Sequence, residues 1–323
     1  MSKKKFLITG GTGFLGSALV RRLVRDGYDV RVLDNNLRGV PSRLKEVWEQ
    51  IEVVEGDIRD LATVESACKE VDAICHLAFI NGTRFFYEKP DLILEIAVKG
   101  MMNVLDAAIK HQVKELFLAS SSEVYQAPPR IPTDEAVPLV IPDPMNPRFS
   151  YGGGKIINEL LAIHYGKKYF NRAVIFRPHN VYGPDMGGEH VIPELVVRMK
   201  ELMNTHLEGV LSFPIQGTGK ETRSFIYIDD FIEALMYVIR SGEHLGIYHI
   251  GTMEEIPVEE VASQIAHVLG QKIEIIPGKK LEGSTPRRCP NTQKLQRLGF
   301  QPKISFQEGL RKTVEWYRER SLQ

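Results

Sequence analysis

Tyr151 and Lys155 stand four residues apart in the segment Ser150-Tyr151-Gly152-Gly153-Gly154-Lys155. On a helix that spacing stacks the phenol and the ammonium on one face. A lysine ammonium beside a phenol favours the phenolate and lowers the tyrosine pKa from its usual value of about 10. A tyrosine tuned in this way exchanges a proton with a sugar or alcohol hydroxyl near neutral pH. The three intervening glycines are poor helix formers, each costing roughly 1 kcal/mol relative to alanine. They allow another backbone, a cofactor or a substrate to come close.

A second constellation lies near the N-terminus, in Gly10-Gly11-Thr12-Gly13-Phe14-Leu15-Gly16. Gly10, Gly13 and Gly16 follow a short apolar run and open a helical pattern. Backbone amides at such a helix start favour a pyrophosphate. Asp34 ends the next strand-like run, 18 residues after Gly16, close to where an acidic residue accepts from both ribose hydroxyls of a dinucleotide. Its charge repels a 2′-phosphate, so the expected cofactor is NAD rather than NADP. Arg38, which would receive such a phosphate, reads as a loop charge. Asp57 and Ile58 follow the third strand and are expected to bracket the adenine ring.

These residues need a scaffold, and the alternation of patterns supplies one. Strand-like runs at 6–9, 30–33, 51–55, 73–77 and 115–119 alternate with helical patterns at 17–25, 61–68 and 92–110. Such alternation implies a parallel sheet with helices on both faces. Ligands bind at the carboxyl ends of those strands, where Gly10–Gly16, Asp34, Asp57, Ile58, Ala78 and Ser121 all fall. A loop from 127 to 147 holds seven prolines, too many for a regular element, and its length suggests a functional loop or lid. Beyond it come the Tyr151 helix, strands at 173–176, 224–228 and 248–251, and helices at 189–203, 229–241, 258–269 and 305–320. Turns at Ser284-Thr285-Pro286 and Gln301-Pro302 precede the last of these.

The 323 residues suffice for a sizeable core, and Lys+Arg and Asp+Glu are balanced at 41 each. No basic excess points to nucleic acid. Three scattered cysteines (Cys68, Cys75, Cys289) form neither a disulfide framework nor a zinc pair, so no metal is expected and the chain suits a reducing cytoplasm. No signal peptide or membrane-spanning stretch is expected.

The ordered set resembles the extended short-chain dehydrogenase/reductase superfamily and, within it, the NAD-dependent nucleotide-sugar epimerase/dehydratase family. The residues that carry the resemblance are Gly10 to Gly16, Gly56-Asp57-Ile58-Arg59-Asp60, His76-Leu77-Ala78, Ser120 to Tyr125, Tyr151 to Lys155, Arg177 to Pro184, and Arg223 to Asp230. It implies a Rossmann-type doubly wound parallel sheet with a smaller C-terminal α/β substrate-binding domain. Residues 1–180 would be mainly cofactor-binding and 181–323 mainly substrate-binding, with the chain crossing back to the sheet at about 222–255. It also implies NAD held by Gly10, Gly13, Phe14, Leu15, Gly16, Asp34, Asp57, Ile58, Leu77, Ala78, Tyr151 and Lys155. Tyr151 would be the base at the sugar C4 hydroxyl, Lys155 its electrostatic partner, and Ser121 a hydrogen-bond partner of the reacting oxygen. Ser121, Ser122, Asn180, His190, Val191, Arg223 and Arg287 are the expected contacts to a nucleotide-diphosphate sugar. A homodimer is expected, built from the 92–110 and 151–169 helices.

Residues after Ser121 bear on the reaction. The 4,6-dehydratases of the family carry Asp-Glu where this chain has Ser122-Glu123, a pair similar to that of UDP-glucuronate decarboxylases. Glu123 is therefore a candidate proton-transfer group, or else a structural carboxylate paired with an arginine such as Arg84 or Arg130. Ala97, Gln126, His179 and Gly152–Gly154 also depart from the family pattern and imply a reshaped sugar pocket. The first expectation is epimerisation through a 4-keto sugar. Alternatives are a dehydratase or decarboxylase using Glu123, a plain reductase, and a non-catalytic NAD-binding protein.

Overall fold

Seven parallel strands form the central sheet of the computed structural model, which describes residues 3–188, 190–205, 209–279 and 285–320. In chain order the first half comprises β1 (Lys5–Thr9), α1 (Phe14–Arg25), β2 (Asp29–Asp34), β3 (Glu52–Glu55), α2 (Leu61–Cys68), β4 (Ala73–His76), α3 (Thr83–Glu88), α4 (Pro90–Glu95), α5 (Met101–Lys110), β5 (Glu115–Ala119), α6 (Ser150–Tyr169) and β6 (Arg172–Pro178). The second half comprises β7 (Val181–Tyr182), α7 (Val191–Thr205), β8 (Leu211–Ile215), β9 (Thr222–Ser224), β10 (Ile226–Tyr227), α8 (Ile228–Ser241), β11 (Ile247–Ile250), β12 (Glu255–Pro257), α9 (Val258–Val268), β13 (Ile273–Pro277), β14 (Arg287–Arg288), α10 (Gln293–Arg297) and α11 (Phe306–Arg318). The sheet order is β11-β6-β5-β4-β1-β2-β3.

Both faces of the sheet are covered at its centre, which is why β1, β4, β5 and β6 carry continuous apolar runs, whereas β3 at the edge is largely exposed. Along β1, Phe6 and Ile8 join one core with α1 and α8, whereas Leu7 joins the opposite core with α2, α5 and α6. The first core continues through Phe213, Val261, Val314 and Tyr317 into the second half of the chain. The chain returns once to the main sheet, where β11 pairs in parallel with β6.

The helix expected over 92–110 is interrupted. A π-helical turn at Ile96–Gly100 separates α4 from α5 and carries Ala97. The pair β8–β13 was not anticipated, although Leu211, Phe213 and Ile215 are buried and Ser212 and Pro214 exposed, a clean period of two. Pro214 hides that pattern, because proline argues against a strand unless it lies on an edge. Of the sequence expectations, Glu189 and Ser284 lie outside the described residues.

Candidate active site

The carboxyl ends of β1, β2, β3, β4 and β5 open into one cleft of about 480 Å³. At its floor β1 turns sharply into α1. Gly10 has φ +74, and a Cβ there would lie 2.7 Å from the Ala78 amide nitrogen. A Cβ on Gly16 would overlap the Gly10 carbonyl oxygen. Only glycine permits this approach of turn, strand end and helix. Gly13 caps α1 without a side-chain acceptor and the first turn holds no acidic residue, so the first amides of the helix face the cleft without an intrahelical partner. Asp34 closes the same end, its carboxylate accepting from the amides of Thr12 (3.0 Å) and Asn36 (2.9 Å). Asp57 is bound by the Arg59 guanidinium and by Asn35, and the Arg59 hydrogen bond above all pulls it down to about 2. Ile58, Leu77 and Ala78 complete this wall. Helix-start amides free to donate to a pyrophosphate, beside a carboxylate able to accept from ribose hydroxyls, are the combination that NAD requires, and the cradle fits it.

Ser121 ends the β5 segment and caps a short helical turn at 122–125, its hydroxyl accepting from the Glu123 amide at 3.1 Å. Tyr151 and Lys155, one turn apart at the start of α6, face the cleft between that turn and α3. The Tyr151 ring lies between Phe79, edge-on at 5.1 Å, and Phe86, stacked at 5.0 Å, and its hydroxyl meets Ser121. Lys155 donates to the Ala119 carbonyl at 2.7 Å and lies over the Phe79 ring. Behind it, a buried pair between Glu159 and Arg177 (2.6 Å) ties α6 to β6.

The expectation that Lys155 depresses the Tyr151 pKa is corrected by this arrangement. Burial holds the Tyr151 phenol above its ordinary range, and the Glu123 charge adds to this, while the Ser121 hydrogen bond and Arg288 oppose it. Burial also pushes Lys155 down to about 7, against the pull of Glu159. The ammonium is drawn to a carbonyl and to Phe79 rather than to the phenol.

Glu123 has a partner that was not foreseen. Arg288 donates to its carboxylate at 2.6 Å, whereas Arg84 pairs with Glu88 and Arg130 with Asp134. Burial raises the Glu123 carboxyl, but the charge of Arg288, with Arg148 and Arg223 behind it, holds it below the usual range. Register explains why Arg288 rather than Arg287 faces the cleft. On β14, Arg288 is opposite Arg223 of β9 and Arg287 is opposite Thr222, so the two arginines point to opposite faces. Arg287 leaves the cleft and pairs with Glu255 at 2.6 Å. A one-residue shift in a two-residue strand cannot be read from composition.

Every other expected site residue lines the cleft, including Ser122, Asn180, His190, Val191 and Arg223. Asn180 donates to the Ser224 carbonyl at 2.8 Å. Burial lowers Arg223 to about 10 and His190 to about 4, with Arg288 and Arg38 respectively adding to the effect. His179 is buried behind the wall against His249, ring centres 4.7 Å apart. Arg148 and Arg43 also line the cleft and were missed. Arg43 makes a two-pronged pair with Asp185 (2.9 Å to each oxygen), joining the connection after β2, here a 3₁₀ helix at Pro41–Gln50, to the loop after β7.

The glycines of α6 and two other departures from the family pattern meet each other. A Cβ on Gly152 would lie 2.5 Å from the Gln126 amide nitrogen, and one on Gly154 would lie 2.8 Å from the Ala97 Cβ. The close neighbour at each glycine is thus the protein itself.

Residues 6–251 match the sequence model of the NAD dependent epimerase/dehydratase family. The chain belongs to that family. It is 31% identical to the UDP-N-acetyl-alpha-D-glucosaminuronate decarboxylase of Bacillus cytotoxicus, over 98% of each chain. It is 32% identical to a putative UDP-glucose 4-epimerase of Methanocaldococcus jannaschii, over 97% of this chain and 98% of that one. Among solved structures, the dTDP-glucose 4,6-dehydratase of Streptomyces venezuelae with NAD bound superposes with a TM-score of 0.86 at 29% identity, over 98% of this chain and 97% of that one. Family membership makes the protein an NAD-dependent enzyme. The three relatives carry three different reactions, so the branch rests on this chain's own site.

Proposed function

We propose that the protein epimerises a nucleotide-diphosphate sugar at C4 through a transient 4-keto sugar. One observation carries this reading: Ser121, Tyr151 and Lys155 share a wall with the glycine cradle, while the neighbouring carboxylate, Glu123, is clamped by Arg288. A carboxylate held below its usual range is a weak base, and an epimerase needs no second base. Bound NAD supplies the acceptor and donor of the C4 hydride. Gly13 to Gly16 and Asp34 would hold its pyrophosphate and ribose, and Arg223 the substrate diphosphate. Tyr151 takes the C4 hydroxyl proton and returns it, with Ser121 holding the same oxygen. Because burial raises the phenol, this step needs the Lys155 charge close at hand.

A second reading, decarboxylation of a nucleotide-linked uronate, is favoured by a separate observation. Arg148, Arg223 and Arg288 all act on Glu123 at the sugar end, and a sugar carboxylate suits such a cluster. The test is incubation of the NAD-loaded protein with UDP- and dTDP-sugars and uronates in deuterated water, with mass spectrometry of the products. An unchanged formula with a new diastereomer supports epimerisation; loss of carbon dioxide supports the second reading; loss of water overturns both.

In this reading residues 1–180 serve mainly the cofactor and 181–323 mainly the sugar. We assign the protein to the cytoplasm, where its three free, buried cysteines stay reduced. Leu94, Val98 and Leu160 are exposed on neighbouring helical segments and fit a homodimer interface. Sedimentation as a monomer at micromolar concentration would overturn the dimer.

A further inference from the structure

We propose that Phe79 is a positioning residue of the active site, its ring filling a gap left by Ala97 and Gly154 to hold the Lys155 ammonium through a cation–π contact. The Lys155 Nζ lies 4.0 Å from the centre of the Phe79 ring, against 5.9 Å from that of Tyr151. The same ring meets Tyr151 edge-on at 88°. It therefore touches both members of the pair. The gap it fills is made by two small residues: a Cβ on Gly154 would stand 3.2 Å from the Phe79 Cζ and 2.8 Å from the Ala97 Cβ. Ala97 lies in the π-helical turn between α4 and α5 and is fully buried. A larger side chain at either position would press on the ring or on its seat.

The charge of Lys155 has few other supports. It is 3% exposed, and among the described residues no carboxylate forms an ion pair with it. From its own helix it faces Glu159, one turn on, which favours the ammonium, and Tyr151, one turn back. From β4 it faces His76, held neutral by burial and by the lysine itself at about 3. From β5 it faces the Ala119 carbonyl. With burial driving the ammonium down to about 7, a desolvated ring face becomes a principal stabiliser of the charged form. Phe79 thus raises the pH above which Lys155 stops assisting Tyr151.

This inference rests on the Tyr151–Lys155 reading above, but its test needs no sugar substrate. The Lys155 side chain is titrated by nitrogen-15 NMR in the NAD-bound protein, its signal identified by its loss in Lys155→Met. Phe79→Leu is expected to titrate about 0.5–1.5 units below the parent protein, and Phe79→Tyr and Phe79→Trp to stay with the parent. The alkaline limb of kcat/KM, on whichever sugar proves to be the substrate, moves down by the same amount in Phe79→Leu. Fluorinated phenylalanines at position 79 keep the shape and weaken the ring quadrupole, which guards against misfolding of the leucine variant. The Lys155 titration then falls stepwise with fluorine count. Phe79→Leu titrating with the parent, or a titration indifferent to fluorination, overturns the assignment. An NMR shift without any sugar turnover would keep it and overturn the proposed reaction instead.

Discussion

Lys155→Met removes a buried charge, so it should stabilise the fold while abolishing catalysis. Burial moves the Lys155 pKa from an ordinary 10.5 to about 7. Between those values the unfolded chain binds more protons than the folded one, so stability rises with pH across that window. Below pH 7 both states are protonated and the cost is greatest. A gap of about 3.5 units, at about 1.36 kcal/mol each, corresponds to about 5 kcal/mol at pH 6 and roughly 2–3 kcal/mol at pH 8.5. The methionine loses the Ala119 hydrogen bond and the Phe79 contact, together about 1–3 kcal/mol. The expected net gain is about 2–4 kcal/mol at pH 6, crosses zero between about pH 8 and 10, and becomes a small net loss above that. The assay is urea denaturation of both NAD-free proteins from pH 6 to 10. A stability difference that stays flat across this range, or grows with pH, would refute the reasoning.

Three further outcomes are expected. Tyr151→Phe removes only the hydroxyl, so turnover should fall by about 10²–10⁴-fold while NAD stays bound; near-normal activity sinks the mechanism. Glu123→Gln keeps a hydrogen bond to Arg288 but cannot carry a proton, so epimerisation should survive within about threefold, whereas a lyase that uses Glu123 as base should lose about 100-fold; product assays on the variant separate the two. Arg43→Met unties the segments held through Asp185, and NAD should leave about fivefold faster, equivalent to about 1 kcal/mol. Stopped-flow fluorescence at two salt concentrations checks this, and an unchanged rate excludes a retaining role.

The cofactor half was legible because its signals are local. The Gly10–Gly16 turn, Asp34 and the strand ends of 73–77 and 115–119 each follow from a short run of sequence, and their neighbours in space follow from strand order. What escaped depends on register or on distant partners. Arg288 was mistaken for Arg287 because a strand of two residues offers no periodicity to set its faces. The Glu123–Arg288 pair spans 165 residues, and nothing near Glu123 distinguishes it from a pairing with Arg84 or Arg130. The pKa shift expected for Tyr151 failed for a different reason. Spacing puts a lysine beside a tyrosine, but it says nothing of how deeply both are buried, and here burial outweighs the pairing.

The late return of β11 sets an order for synthesis. Until residues 247–250 have left the ribosome, β6 is an open margin of the sheet, at the side opposite β3, and it carries the apolar run Ala173-Val174-Ile175-Phe176. An unpaired strand of this kind is a template for adhesion to other chains. The nascent first half, though it holds the whole glycine cradle, therefore remains sticky while about seventy more residues are added to reach β11. Slow translation across 180–250 would lengthen that exposure, and an N-terminal fragment ending near residue 180 would make it permanent.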